Sequence, residues 1–113
     1  MVVSDGLDKE SLDRAREDYG FYLKVTVDLR QKIVVIGGEY HADAEKLLLE
    51  NHNSRQEDIW GGGVNLEDRR VEANALINLR PGVNESLEIL DPEIRNQFLW
   101  LVEEKLNNLW NLL

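Results

Sequence analysis

Glu39, His41, Asp43 and Glu45 recur at every second residue just after an apolar run and two glycines, Ile33 to Gly38. A carboxylate or imidazole delivered where a chain turns out of a sheet is well placed for acid–base chemistry. If a helix starts at His41, then His41 and Glu45 share one face, a spacing at which a carboxylate can orient an imidazole or both can reach one cation. A divalent ion takes three or four ligands. The other histidine, His52, falls at the far end of the same helix and on another side, so no metal is expected. The same acids also complement the positive end of a helix, an effect of ~0.3–1 kcal/mol each.

A second group lies downstream. Alternation of Val71, Ala73, Ala75, Ile77 and Leu79 with Glu72, Asn74, Leu76, Asn78 and Arg80 predicts a half-buried strand, with Asn78 and Arg80 pointing together away from its core face. Pro81 keeps Arg80 extended. An amide and a guanidinium emerging side by side suit a carboxylate or phosphate, and equally a local ion pair with Glu72, Glu85 or Glu88 worth ~0–1 kcal/mol. With Trp60 as a wall, Glu39, His41, Asn78 and Arg80 define a candidate cleft for a small anionic ligand. In it His41 or Glu39 would act as acid or base and Arg80 as anchor. Gly61-Gly62-Gly63 lacks the lysine and the following helix of a phosphate loop, and reads as a bulge, a bend, or room for a ring such as that of Trp60. Ser4, Ser54 and Ser86 lie outside any nucleophile elbow.

The elements that would position these residues follow from periodicity. Leu12, Ala15 and Tyr19 at near-helical spacing, ahead of Gly20, predict a short first helix. Phe21 to Leu29 alternates strictly and Ile33 to Ile36 is continuously apolar, which predicts a hairpin whose second strand is covered on both faces and lies centrally. Ala42 to about Asn51 reads as a helix and Ile59-Trp60 as the start of a second hairpin, with Leu87 and Ile89 as a brief edge strand. The helix between the hairpins leaves room for one parallel pairing. Asp91-Pro92-Glu93 supplies a capping acid, a proline at the first helical position and a first-turn acid. The helix it opens should run to about Leu112, with an apolar arc covering half its cylinder and Trp100 outside that arc. Phe98, Trp100, Leu101 and Trp110 are therefore the candidate interface.

The fold class expected is α+β: a largely antiparallel sheet of four or five strands built from two hairpins, with about three helices including a long C-terminal amphipathic one. A chain of 113 residues suits a single domain, 1–113, divided as helix 1–20, hairpin 21–38, helix 41–52, hairpin and connection 59–90, and helix 91–113. The formal charge of −9 opposes nucleic acid and anionic membrane, and the absence of cysteine removes disulfides and thiolate chemistry. With no apolar signal core near Met1, the expected location is cytoplasmic.

The segments GGEYHADAEKLLLE, RQEDIWGGG, ALINLRPG and ILDPEIR, in that order, resemble a family of small bacterial proteins catalogued as a domain of unknown function. The resemblance runs from about Leu23 to the last helix and implies no activity, cofactor or catalytic residues. Two readings stand: an interaction module, contacting itself or another protein through the C-terminal helix, or a small enzyme or ligand-binding domain built on Glu39, His41 and Arg80. The first is preferred, with no cofactor.

Overall fold

A computed structural model describes residues 1–3, 6–17, 20–38 and 40–113. Glu39 and Tyr19 lie outside the described residues. The elements in chain order are β1 (Val2–Val3), α1 (Lys9–Ala15), β2 (Tyr22–Asp28), β3 (Ile33–Ile36), α2 (His41–Asn51), β4 (Ile59–Asn65), β5 (Arg70–Glu72), α3 (Pro92–Lys105) and α4 (Leu109–Leu112). The strands form one sheet in the order β1-β3-β2-β4-β5, with every pairing antiparallel. The α+β architecture expected from the sequence is the one observed. No parallel pairing forms among the described residues, because α2 carries the chain across to the far side of β2, where β4 pairs antiparallel to it.

Alternation along β2 sorts the layers. Leu23, Val25 and Val27 are fully buried with Val34, Ile36, Trp60 and Val64 under α1, α3 and α4, which contribute Leu12, Phe98, Val102 and Leu109. The opposite face carries Tyr22, Lys24, Thr26 and Asp28, and α2 covers part of it through Ala44 and Leu48 packed on Val35 and Ile59. Thr26 and Asp28 are buried as a result. Burial pushes the Asp28 carboxyl up, but bonds from the Ser54 hydroxyl, the Gln31 side chain and the Gln31 and Arg30 backbone N–H groups outweigh it and hold it below the ordinary range. The carboxylate thereby ties the β2–β3 turn to the loop after α2.

Capping fixes two of the helix starts. Asp8 accepts from Ser11 N at 2.7 Å, and Asp91 accepts from Glu93 N at 2.9 Å with Pro92 in the first turn. Gly37, at φ +81°, turns the chain out of β3 where a Cβ would sit 3.2 Å from Ala15, so only glycine serves there. The long C-terminal helix ends earlier than its apolar arc suggests. It stops at Lys105, because Asn108 turns its amide to Leu7, accepting from its N–H and donating to its carbonyl, and α4 restarts beyond. The two-residue β1 carries no periodic pattern to read, and forms by pairing Val2 and Val3 with Val35 and Val34.

The second hairpin differs most from expectation. β5 stops at Glu72, and the chain instead pairs Asn74 with Glu88 and makes a single turn of tight helix over Leu76–Asn78. Leu87 and Ile89 form no strand. The cause is the triple glycine of β4. On the α2 face a Cβ on Gly61 would stand 2.8 Å from the Ala75 methyl and 3.0 Å from Ile77, and one on Gly63 would collide with the Tyr22 ring. On the other face a Cβ on Gly62 would be 2.6 Å from the Phe98 ring. The room is taken by Tyr22, Ile77 and Phe98 rather than by Trp60. Gly62→Ala should therefore lower stability by ~1–3 kcal/mol through overpacking, whereas Gly20→Ala, where an added Cβ meets nothing within 4 Å, should stay within ~0.5 kcal/mol of the parent. Urea unfolding of the two variants decides it; equal midpoints would contradict the packing argument.

Candidate functional site

α2 opens at His41, which sends its ring down onto β4. The ring nitrogen Nε2 lies 2.6 Å from the carbonyl of Gly62, the middle one of the three glycines. A carbonyl can only accept, so Nε2 holds the proton and a neutral His41 keeps its lone pair on Nδ1. Burial lowers the His41 pKa below the imidazole range, the Gly62 bond raises it, and the nearby Lys24 ammonium lowers it further. Tyr22, Lys24, Tyr40, His41 and Ala42 line a hollow of about 430 Å³, closed on the far side by residues 74–77. Burial, and then the neighbouring Glu72, raise the Tyr22 phenol. The hollow thus combines a neutral imidazole, an ammonium and two phenols.

Trp60, Asn78 and Arg80 are brought together elsewhere, and as scaffold. Asn78 does not point outward; it is fully buried and behaves as a substitute strand. Its Oδ1 accepts from Gly61 N at 2.8 Å, while its Nδ2 donates to Gly61 O at 2.8 Å and to Leu87 O at 3.1 Å. The Arg80 guanidinium lies over the Trp60 ring at 4.4 Å and donates to the Ile59 and Ile77 carbonyls, with the Glu45 carboxylate acting on it from α2. Its expected partners Glu72, Glu85 and Glu88 are not the ones it uses. Asn84, also buried, donates to the carbonyls of Asn78, Ser86 and Glu88 and accepts from Leu90 N at 2.9 Å. Together these bonds close the 73–90 segment into a compact loop.

The five candidate ligand residues therefore do not form one cleft as described. His41 lines the hollow, Trp60, Asn78 and Arg80 hold the loop to β4, and Glu39 lies outside the described residues. Of the candidate interface, Phe98 and Leu101 are buried in the chain's own core, with only an edge of Leu101 reaching the hollow beside Trp100. Trp100 is 56% exposed, with Lys32 Nζ at 5.8 Å from its ring, and Trp110 is half-buried beneath Arg69. Sequence reasoning missed Tyr22, Lys24 and Tyr40 at the hollow. The signal for the first two was their place on the non-core face of β2, opposite glycines that leave that face open.

The His41 environment has a pH signature. Below the ordinary imidazole value of 6.5 the unfolded chain takes up a proton at His41 that the folded chain refuses, so stability is full above that value and declines as pH falls below it. Asp28 acts in the same direction further down: its contribution is full above the ordinary value of 3.8 and is lost as pH falls through its lower folded value. In His41→Gln, whose amide can donate to the same carbonyl, the loss just below pH 6.5 should disappear while the acid limb stays. Thermal melts across pH 4–8 would show this, and unchanged profiles would assign the upper limb to another group.

No curated protein and no solved structure matches the chain. One family does match, over residues 1–105, from β1 through the end of α3. The chain belongs to that family, described as a protein of unknown function, DUF5674.

Proposed function

We propose that the protein is an interaction module that presents its 73–90 loop to another protein. The observation carrying this reading is a conflict within that loop. Its main chain is locked by the buried amides of Asn78 and Asn84, yet Leu76, Leu79, Val83, Leu87 and Leu90 stand 48% to 73% exposed. Apolar side chains held outward on an ordered backbone do nothing for the monomer, and burying one such side chain in a contact is worth ~1.5–3 kcal/mol. A loop already fixed in shape also loses little entropy on binding. The net charge of −9 favours a partner with a basic rim over a second copy, whose like charge would oppose approach. The alternative contact along α3 keeps only Trp100 fully outside, since Phe98 and Leu101 face inward.

The double variant Leu79→Asp/Val83→Asp tests the reading. Both positions are exposed, so its melting curve should match the parent's to within ~0.5 kcal/mol, while a protein retained from the native host's extract by the parent should be lost by about ten-fold or more. Trp100→Glu should retain it. Retention by the double variant and loss by Trp100→Glu would move the contact to α3. A parent dimer in sedimentation that only Trp100→Glu disperses would also overturn the loop assignment.

A further inference from the structure

We propose that the hollow beside Trp100 on α3 binds a neutral sugar, a pyranose ring stacking on the indole while the Asn96 and Gln97 amides hold its hydroxyls. The site shares no residue with the 73–90 loop.

The placement comes from helix spacing. Glu93, Asn96, Gln97 and Trp100 stand at i, i+3, i+4 and i+7 of α3, which sets them in one stripe on its outer side. That stripe is one wall of a hollow of about 700 Å³, within the ~300–1,000 Å³ of small-molecule sites, and the end of β2 and its turn supply the other wall through Leu29 and Lys32. The stripe is held in shape from behind, because Phe98, Leu101 and Val102 on the inner side of the same helix are buried in the core. A ligand therefore meets a wall already formed.

The lining selects the ligand. Trp100 leaves 56% of its surface in water, a flat apolar plate with an electron-rich face. Around it stand amides. Those of Asn78, Asn84 and Asn108 are consumed by backbone partners, whereas the side chains of Asn96 and Gln97 have no hydrogen-bond partner among the described residues. Each offers a carbonyl to accept and an N–H pair to donate, which is what a hydroxyl, itself donor and acceptor, requires. Lys32 and Glu93 contribute one charge of each sign, so the hollow favours a neutral ligand over an ion. A pyranose with equatorial hydroxyls meets all three conditions: its C–H groups form an apolar face for the indole, its hydroxyls ring the edge, and it carries no charge. The 73–90 loop makes the contrast, since it presents several aliphatic side chains and suits a protein surface, whereas here a single ring stands among amides.

Lys32 completes the wall. It ends the β2–β3 turn at φ +57°, and its ammonium stands 5.8 Å from the centre of the Trp100 ring. An exposed contact of that kind is worth ~0.5–1 kcal/mol, so a stacking sugar can displace it and leave its N–H groups to donate to hydroxyls at the edge.

An NMR titration of the full chain with cellobiose, whose two glucose rings carry equatorial hydroxyls, tests this against glucitol, an open chain with hydroxyls and no flat face. Cellobiose should give saturable shifts centred on the Trp100 indole N–H and the amides of residues 93–100, and glucitol should bind about ten-fold more weakly. Trp100→Ala should weaken cellobiose by about ten-fold or more, and the exposed pair Asn96→Ala/Gln97→Ala by about five-fold, with melting curves unchanged. Leu79→Asp/Val83→Asp should bind cellobiose as the parent does, which keeps this site distinguishable from the contact loop. No saturable shift up to about 50 mM cellobiose, shifts centred elsewhere, equal affinity for glucitol, or full binding by either Trp100→Ala or the amide pair would each overturn the proposal.

Discussion

The exchange of two hydrogen bonds between the Asn78 amide and the backbone of Gly61 is the interaction on which the second half of this fold depends. β5 pairs with β4 only as far as Gly63, so without Asn78 the N–H and carbonyl of Gly61 would be buried with no partner. Leaving a buried donor and acceptor empty costs ~1–3 kcal/mol each. A primary amide solves this because it offers an acceptor and a donor in the same spacing as a peptide group. Aspartate there would set a carboxylate against the Gly61 carbonyl, and leucine would fill the volume and leave both groups empty.

The same device recurs. Asn108 exchanges two bonds with Leu7, and so ends α3 while pinning the segment that follows β1. Asn84 gathers three carbonyls and one N–H from the 78–90 chain. In each case a neutral side chain stands where a strand or a helix turn is missing. The one buried carboxylate among the described residues, Asp28, is kept charged by several donors at once, which is what a low-dielectric site demands of an ion. Irregular backbone is thus made affordable in the interior by side-chain amides, and ionised groups are almost all left outside.

This explains what could be read from the sequence. Strands β2 and β3 and the openings of α2 and α3 were legible, because their signals are local: alternation, a continuous apolar run, a glycine break, and the Asp91-Pro92 cap. The second hairpin was not, because the alternation from Val71 to Leu79 is real and is overridden. Ala75 and Ile77 do face the sheet, but over glycines, so the chain settles closer to β4 than strand pairing allows and Asn78 is drawn inward. Reading Asn78 and Arg80 as an outward pair failed for that one reason. His41 was singled out correctly as lying at the helix start. Its neighbours in the hollow come from β2 and residues 74–77, and no spacing rule links those three segments.

The glycine strand also decides where surface chemistry can exist. Because β4 presents no side chains at Gly61 and Gly63, the 74–77 turn and the Tyr22 ring sink onto it, and the space above them becomes the hollow. Drawing the turn down in this way leaves Leu76 outside, and the loop beyond, folded around Asn84, leaves Leu79 and Val83 outside as well. Hollow and loop are therefore two faces of one segment, bound to the sheet through Gly61. A side chain at Gly61 would displace both together, whereas changes at Lys24 or Val83 would touch one and spare the other. That separability leaves the core between hollow and loop undisturbed by a change in either one.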